Sequence, residues 1–279
     1  MSSDNSLKIL VLIKQVPDTS SKAGLNPDGT INRAQAKRML NPFDRYALQA
    51  ALHSKKEFGG HVTALTMGPP PATEILLEAI EHGADRGVLL SDRRLAASDT
   101  LATAYALWNT IKYLGQFDLV FAGLQTTDGD TAQVGPQIAE RLNLPQVTYC
   151  EDFRIENREL HARRIIEGGY QLVKSQLPAL VTVANSYHHL EYKNIRGARM
   201  VQDLVRDEAL KAQYIEVVDL DIVGADPELC GLKGSPTIVA RTDKVGQLGG
   251  SCIMHQGQSI ETMTEDVLAE TNLLEFAVS

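Results

Sequence analysis

The segment 123–142, GLQTTDGDTAQVGPQIAERL, carries the residue pattern with the clearest chemical meaning in the chain. Its Pro136 is tolerated only in the first turn of a helix, so a helix must begin shortly before that residue. The backbone N–H groups near residues 131–135 then lie unpaired at a helix N-terminus, where they and the helix dipole attract phosphate. The segment is therefore a candidate phosphate-binding site.

Side chains of the same segment fit this interpretation. Thr131 and Gln133 can donate further hydrogen bonds, and Gly129 and Gly135 have no Cβ that would keep a ligand from the backbone. We therefore expect these four positions to surround the phosphate group.

Two carboxylates, Asp128 and Asp130, stand beside these donors and look unfavourable for a bound anion. Either carboxylate could instead accept a hydrogen bond from a ribose hydroxyl or from a backbone N–H group. The alternative is an ordinary loop in which Asp130 caps the following helix. The residues alone leave both interpretations open.

Three further positions could support a ligand. The end of the first apolar run, at residues 14–19, lacks the Gly-x-Gly-x-x-Gly pattern, which argues against a standard Rossmann dinucleotide site. Residues 41–44, Asn-Pro-Phe-Asp, are typical of an asparagine cap with proline in the first helical turn. Residues 98–100, Ser-Asp-Thr, indicate another helix cap, with Ser98 as the capping residue.

Several kinds of chemistry are not expected. Cys150, Cys230 and Cys252 are isolated and form no Cys-x-x-Cys pair, which argues against a cysteine-ligated metal. The adjacent His188 and His189 would diverge on either a strand or a helix. The chain has neither Gly-x-Ser-x-Gly nor His-Glu-x-x-His. We therefore predict no catalytic acid–base or nucleophilic residue and no metal site.

The elements that must position these residues alternate between strands and helices. Short apolar runs predict strands at residues 8–16, 61–67, 85–90, 118–122 and 180–184. Helical spacing of apolar residues predicts helices from residue 42 to about 58 and over 71–82, 98–113 and 137–142. This alternation predicts an α/β fold with a doubly wound, mostly parallel sheet of the flavodoxin-like or Rossmann-like type, which binds ligands at the carboxyl ends of its strands.

The second half of the chain has a different pattern. Alternating residues and turn signals over 153–169 predict a β-hairpin insertion at about residues 151–177. Residues 185–215 are polar and mixed and give no clear element. We expect a nucleotide-binding domain over residues 1–223 and an extended arm over 224–279, with a last helix at 262–274, that packs on a partner subunit.

The composition limits the function classes. The 279 residues carry a net charge of −8, which argues against a nucleic-acid-binding face. The N-terminal segment has the pattern of neither a signal peptide nor a membrane span. A sparse, odd number of cysteines suits a reducing compartment. We therefore expect a cytoplasmic protein with no membrane span and no nucleic-acid partner.

Six segments, taken together, resemble the beta subunit of electron-transfer flavoproteins in their order and spacing. They are KILVLIKQVPDT (8–19), MLNPFDRYALQAAL (39–52), ALTMGPP (64–70), EHGADRGVLL (81–90), SDTLATAYAL (98–107) and GLQTTDGDTAQVGPQIAERLNLPQVTY (123–149). The resemblance covers residues 7–185. It implies a heterodimer with a larger alpha subunit that carries FAD, and an adenine nucleotide bound by this chain.

The resemblance also implies which residues bind that nucleotide. The cofactor-binding positions are Leu12, Asn41, Pro42, Phe43, Asp44, Met67, Thr126, Thr127, Asp128, Gly129, Asp130, Thr131, Ala132, Gln133, Val134, Gly135, Pro136 and Gln137. Within this set Thr131, Gln133, Val134 and Gly135 would serve the pyrophosphate, and Asp128 and Asp130 the sugar hydroxyls. Asp99 and Thr100 would support the flavin end of a larger ligand.

The family divides according to the nucleotide. In one branch it is a structural AMP, and in the electron-bifurcating branch it is a second FAD that takes a hydride from NADH. The sequences DGDTAQVGP and SDTLATAYAL resemble the bifurcating branch. The resemblance thus implies FAD and NADH, with electrons passing singly to a low-potential acceptor such as ferredoxin or flavodoxin and, through the alpha subunit, to a flavin-dependent dehydrogenase.

Two alternatives remain at this point. The first is a beta subunit that holds structural AMP and has no redox centre of its own. The second is a stand-alone ATP-binding protein on a similar fold, which explains the strand pattern but not the long C-terminal segment. The chain also departs from the family at residues 185–200, NSYHHLEYKNIRGARM, where many members have an Asn-Glu-Pro-Arg-like stretch. The identity of the dehydrogenase therefore does not carry over.

Overall fold

The computed structural model describes residues 6–18, 37–193, 195–238 and 259–271. The chain divides into two compact units, residues 1–238 and 239–279. The strands are β1 (Leu7–Leu12), β2 (Gln15–Pro17), β3 (Arg38–Leu40), β4 (Gly60–Met67), β5 (Arg86–Leu90), β6 (Leu119–Gly123), β7 (Gln146–Glu156), β8 (Glu159–Ile166), β9 (Gly169–Gln176), β10 (Ala179–Val183) and β11 (Ile215–Val218). The helices are α1 (Pro42–Phe58), α2 (Thr73–His82), α3 (Thr100–Leu114), α4 (Val134–Leu142), α5 (Ile195–Arg206), α6 (Glu208–Tyr214) and α7 (Ile260–Thr271).

The first unit is built on a nine-stranded sheet in the order β11-β5-β4-β1-β6-β10-β7-β8-β9. Every pair from β11 to β7 is parallel, and only the β7–β8 and β8–β9 pairs are antiparallel. The predicted α/β fold with a mostly parallel sheet is confirmed. The strand order reverses between β1 and β6, so their carboxyl ends form the crevice where such sheets bind ligands.

Two hydrophobic layers cover the faces of this sheet. One layer packs Ile9 and Phe121 of the central strands against Leu48 of α1 and Leu76 of α2. The other packs the opposite face of the same strands against α3 and α4, with Ile138 fully buried. Because both faces are covered, the central strands are mostly apolar rather than alternating between apolar and polar residues. This explains the short continuous apolar runs in the sequence.

The predicted hairpin insertion is a three-stranded antiparallel meander formed by β7, β8 and β9. Asn157 and Arg158 both have left-handed φ angles, 50° and 62°, at the β7–β8 turn. This conformation matches the twist of a two-residue hairpin. The second turn is made at Gly168, also with a positive φ.

The first apolar run is divided in two. β1 ends at Leu12, and residues 15–17 leave the main sheet to pair with β3 as an antiparallel ribbon. The predicted strand over residues 8–16 was therefore too long, because an apolar run does not show where a chain changes its partner. The predicted helix at 262–274 corresponds to α7 up to Thr271, and its last three residues lie outside the described part of the chain.

Three elements in residues 185–218 were not predicted. In α5 only Leu204 is fully buried, and the apolar Ile195 and Val205 are exposed, so the buried apolar stripe is narrow. Gly197 lets α5 approach α2 closely, since a Cβ at that position would clash with the carbonyl oxygen of Glu81. At the edge of the sheet, β11 buries Ile215 and Val218 but exposes Val217. Their apolar content alone is too low to indicate these elements.

Candidate functional site

The loop after β6 leads into the N-terminus of α4 at the carboxyl edge of the sheet. The helix begins at Val134, three residues before the predicted start, and Gln133 at the N-cap position makes no side-chain capping bond. Asp130 and Ala132 have left-handed φ angles of 50° and 54°. None of the described residues accepts a hydrogen bond from the N–H groups of residues 131–135. We call these five N–H groups the phosphate cradle, because unpaired amides at a helix N-terminus bind anions.

The two carboxylates of this loop are both occupied by protein donors. Asp128 accepts from Lys14 Nζ at 2.8 Å, and Asp130 accepts from Gln125 Nε2 at 3.0 Å. Partial burial would raise the pKa of Asp128, but the hydrogen bond and the charge of Lys14 hold that pKa below its ordinary value. The alternative in which Asp130 caps the helix is wrong, because its side chain turns back to Gln125. The N-terminus of α4 therefore stays free.

Asn41 fixes the same loop from α1. This fully buried residue precedes Pro42, as predicted, but its side chain makes no capping bond within the helix. Its Nδ2 donates to the carbonyl of Gln125 at 2.8 Å, and its Oδ1 accepts from the N–H of Thr127 at 3.2 Å. The expectation of a plain asparagine cap was wrong, since the amide group is used on a segment more than eighty residues away.

Asp44 joins the ends of the two central strands. Its Oδ2 accepts from the backbone N–H of Lys14 at 2.7 Å, and a Cβ at Gly123 would clash with its Oδ1. Burial raises the pKa of Asp44 to about 7, although hydrogen bonds from Asn41, Lys14 and Gly123 work in the opposite direction. The carboxyl group therefore faces the backbone just beyond β1 and at the end of β6.

The remaining predicted positions lie at strand or helix ends. Leu12 is buried at the end of β1, and Met67 is half-buried at the end of β4. Pro42 and Phe43 are half-buried at the start of α1. Because β1 and β4 are parallel neighbours, these strand ends share one edge of the sheet. The fold thus brings three segments that are separate in the sequence to the same crevice. They are the end of β1, the start of α1 and the end of β4.

The N-terminus of α3 differs from that of α4 because a carboxylate already occupies it. Asp99 accepts from the N–H groups of Leu101 and Ala102, both at 3.0 Å. The prediction of Ser98 as the cap was wrong, since its hydroxyl donates to the carbonyl of Leu95 at 2.8 Å. Of the two neighbouring helix starts, α4 is the one whose amides are open to an anion.

Side chains connect the two helix starts. Thr100 Oγ1 donates to Gln133 Oε1 at 2.8 Å and accepts from Gln137 Nε2 at 3.4 Å. Gln137 Oε1 is buried and has no hydrogen-bond partner among the described residues. A buried acceptor without a donor is unfavourable by about 1–3 kcal/mol. The atom is closed to solvent, so it marks an unsatisfied polar position in the packing between the two helix starts.

The two glycines of the loop differ in what surrounds the position of an added Cβ. At Gly129 the nearest atom to an added Cβ is Thr126 Oγ1 at 3.5 Å, an ordinary contact, so that side of the residue is open. At Gly135 an added Cβ would lie 2.9 Å from Thr182 Cγ2 on β10. Gly135 thus allows α4 to pack closely on the sheet, which differs from the predicted close approach of a ligand.

The structure adds residues that the pattern did not single out. Lys14 and Gln125 hold the loop carboxylates, and Ser235 and Thr237 reach Asp99 from the end of the first unit. Thr237 Oγ1 donates to Asp99 Oδ2 at 2.7 Å, and Ser235 Oγ accepts from the backbone N–H of Asp99 at 2.8 Å. These contacts join segments far apart in the sequence, so no local pattern signals them.

In the described ranges neither a metal site nor a membrane-spanning helix is present. The His, Cys, Asp and Glu side chains of these ranges contain no group of three that could hold a metal ion. No helix in these ranges is long and apolar enough to cross a membrane. The chemistry that the site offers is therefore anion binding by backbone amides and hydrogen bonding to a polar ligand.

Comparison with known proteins gives matches over the same region. Residues 28–208 match the model of the electron transfer flavoprotein domain. The chain is 42% identical over 266 residues to the acryloyl-CoA reductase electron transfer subunit gamma of Anaerotignum propionicum, with 93% of this chain and 96% of that protein covered. It is 42% identical to the caffeyl-CoA reductase-Etf complex subunit CarD of Acetobacterium woodii, with 88% and 90% covered. It is 39% identical to the electron transfer flavoprotein subunit beta of Megasphaera elsdenii, with 95% and 97% covered.

Proposed function

The chain belongs to the electron transfer flavoprotein family, as a subunit of the beta type, and on this premise we propose that it binds FAD at the phosphate cradle and oxidises NADH within a complex. Electrons then leave singly, one towards a low-potential acceptor such as ferredoxin or flavodoxin and one through the alpha subunit to a flavin-dependent dehydrogenase. Family membership agrees with the resemblance seen in the six sequence segments.

The observation that carries this proposal is the open N-terminus of α4. Five consecutive amides, from Thr131 to Gly135, have no acceptor among the described residues, and no side chain caps the helix. The neighbouring carboxylates do not block the site, because Lys14 and Gln125 already bind them. The cradle can therefore take up a phosphate group without first breaking a protein hydrogen bond.

The surroundings of the cradle favour a ligand that is larger than a single phosphate group. Thr100, which bonds to Gln133 and Gln137, extends the polar surface from the cradle to the start of α3. Leu12 and Met67 supply an apolar edge across the crevice. When bound, FAD would supply the redox chemistry, since a flavin takes up a hydride and can release its two electrons separately. The chain's own residues bind and orient the cofactor.

The proposed partners follow from the family and from the relatives' names. Two of the relatives are named as electron-transfer subunits of reductases that act on CoA thioesters. We therefore propose that the dehydrogenase partner of this protein handles a CoA thioester. Of the C-terminal arm predicted over residues 224–279, the part after residue 238, where the first unit ends, would pack on the alpha subunit. We place the complex in the cytoplasm.

A second function is favoured by one specific observation. Asp99 already occupies the N-terminus of α3, so the structure offers free amides at only one of the two neighbouring helix starts. One set of amides suffices for a single phosphate group, which is what AMP carries. The second candidate is therefore a beta-type subunit that holds AMP as a structural ligand.

One measurement separates the two candidates. The complex with the alpha subunit is purified and denatured, and the released FAD and AMP are quantified. Two FAD molecules per heterodimer are expected, one from each subunit. One FAD together with one AMP would overturn the assignment of FAD to this chain and establish the second candidate.

A pair of variants tests whether the cradle is the binding site. In Ala132→Asp a carboxylate is placed at the open amides, and aspartate tolerates the left-handed φ of this position. Ala132→Asn is the matched control, because asparagine has the same shape and the same backbone tolerance without the charge. Loss of the nucleotide from A132D but not from A132N is expected. Equal nucleotide content in both variants would place the ligand elsewhere.

The electron-transfer step has its own test. The complex is supplied with NADH, a flavin-dependent dehydrogenase with its acyl-CoA acceptor, and ferredoxin or flavodoxin. Reduction of the low-potential protein that depends on the presence of the acyl-CoA acceptor is expected. Reduction of the acyl-CoA acceptor alone, with the low-potential protein left oxidised, would contradict bifurcation while leaving FAD binding intact.

A further inference from the structure

The proposed cradle has an electrostatic problem. The segment 123–137 contains two carboxylates, those of Asp128 and Asp130, and no lysine, arginine or histidine. A phosphate group brought into this loop meets like charges, and the repulsion between two unit charges 4 Å apart is about 1–4 kcal/mol near a protein surface. The loop by itself is therefore poorly suited to a ligand that carries phosphate.

Lys14 supplies the missing positive charge from another part of the chain. It lies two residues beyond the end of β1, and its Nζ is 2.8 Å from Asp128 Oδ1. The two side chains are 45% and 34% exposed, so the ion pair is partly screened by water and is open to the crevice. Asp128 is three positions before Thr131, the first cradle residue, so their Cα atoms are at most about 11 Å apart.

The backbone of Lys14 is held on both sides. Its N–H donates to Asp44 Oδ2 at 2.7 Å, and its carbonyl accepts from the N–H of Asn41 at 2.9 Å. The long side chain thus pivots on a fixed Cα. An ammonium group has three donors, and Asp128 is its only acceptor among the described residues. Two donors therefore remain for another acceptor.

We infer that Lys14 is a further cofactor-binding residue, whose ammonium group contacts a phosphate group of the nucleotide while it neutralises Asp128. The inference rests on the proposed function, because it requires a nucleotide in the cradle. It also explains how an acidic loop accepts an anion. The cation is not part of the loop, and the parallel pairing of β1 with β6 places the segment after β1 beside the loop after β6.

An alternative use of the same contact is purely structural, with the ion pair holding the loop in place. The two uses differ in their dependence on Asp128. If Lys14 contacts the ligand, removal of the Asp128 charge leaves the cation in place and lowers the repulsion, so nucleotide binding is weakened less than by the loss of Lys14. If the ion pair only holds the loop in place, loss of either partner weakens nucleotide binding equally.

The test uses the whole complex with the alpha subunit, in the variants Lys14→Met, Lys14→Arg and Asp128→Asn. FAD and AMP are the probes, and their dissociation constants are measured over a range of salt concentrations. Lys233→Met is the matched control, because Lys233 pairs with Glu228 at the same distance, 2.8 Å, on another part of the surface. For K14M we expect a dissociation constant raised by about tenfold or more and a weaker dependence on salt. K14R and K233M are expected to keep the wild-type affinity, and D128N is expected to lose less affinity than K14M.

Two results would overturn the role of Lys14. One is wild-type affinity in K14M, and the other is an equal loss of affinity in K14M and D128N. The failure of the proposed function looks different, because the wild-type complex itself would then bind neither FAD nor AMP in this chain.

Discussion

The side-chain oxygen of Asn41 accepts a hydrogen bond from the backbone N–H of Thr127 at 3.2 Å, across 86 positions of the chain. The same side chain donates to the carbonyl of Gln125 at 2.8 Å. One buried amide group therefore satisfies a donor and an acceptor on both sides of Thr126. This relationship shapes the loop that leads into the cradle, and it does so from the start of α1.

Asn41→Ala is expected to lower both stability and nucleotide content. The substitution leaves the N–H of Thr127 and the carbonyl of Gln125, both on half-buried residues, without their partner, at a cost of up to about 1–3 kcal/mol for each group. Unfolding by denaturant and quantification of the bound nucleotide measure the two effects.

Asn109→Ala is the control, since Asn109 is also buried but donates to the carbonyl of Tyr105 within α3. N109A with its full nucleotide content and N41A without it would support a role of Asn41 in the loop. Equal content in both would contradict it.

The parallel core could be predicted from the sequence because its signals are local. The Asn41-Pro42 start and the Gly59-Gly60 end bracket α1, a continuous apolar run marks β6, and a largely apolar run marks β4. The contacts that build the site are not local. The amide of Asn41 was interpreted as a simple cap because a cap is the commonest use of asparagine before proline, and nothing near it in the sequence indicates the loop at Thr127.

The pH dependence of stability should reveal the buried carboxyl of Asp44. Its folded-state pKa of about 7 lies above the ordinary value of 3.8, so between these two values the folded protein holds a proton that the unfolded chain has lost. The contribution of Asp44 to stability therefore falls as the pH rises from about 4 to about 7, and it is constant above that range. The slope is at most about 1.4 kcal/mol per pH unit.

Asp44→Asn provides the reference for this measurement, because asparagine resembles the protonated carboxyl group and does not titrate. The free energy of unfolding is measured for both proteins between pH 5 and pH 8. The wild type is expected to lose stability relative to D44N as the pH rises towards 7. A difference that does not change with pH would show that Asp44 does not titrate in this range.

The contribution of the hydrogen bond between Thr237 and Asp99 to stability should be measurable by itself. Thr237 donates to Asp99 Oδ2 through both its hydroxyl, at 2.7 Å, and its backbone N–H, at 3.1 Å. Burial would raise the pKa of Asp99, but the N–H groups of α3 and the donors of Thr237 hold that pKa below its ordinary value. Thr237→Val removes the hydroxyl donor and is expected to cost about 1 kcal/mol of stability.

A double-mutant cycle with Asp99→Asn assigns that cost. Asparagine can still cap α3 with its carbonyl oxygen, whereas its amide group cannot accept from Thr237. If the two side chains interact directly, the double variant should be less destabilised than the sum of T237V and D99N. Simple additivity of the two unfolding free energies would rule out the interaction.

The capping residues show why the site was predicted only in part. Ser98 and Asp99 are both good caps, and the sequence does not decide between them, because the choice depends on the chain returning from residue 231 to bond Ser98 Oγ. In the same way, Gly135 looks like a glycine that admits a ligand. Its close neighbour is Thr182 on β10, which pattern analysis cannot place opposite it.

The packing of Gly135 against Thr182 gives a prediction with an internal rescue. In Gly135→Ala the new Cβ would lie 2.9 Å from Thr182 Cγ2 and 3.6 Å from Ala122 Cβ, so α4 must shift away from the sheet. Overpacking of this kind costs about 1–3 kcal/mol. Since the cradle amides are at the start of α4, the shift should also weaken nucleotide binding.

Thr182→Ser in the same chain removes the clashing methyl group and keeps the hydroxyl that accepts from the N–H of Tyr149. The double variant G135A/T182S should therefore recover stability and nucleotide binding together, measured by thermal unfolding and by FAD titration. Recovery of stability without recovery of binding would mean that Gly135 acts on the ligand directly, as the sequence pattern first indicated.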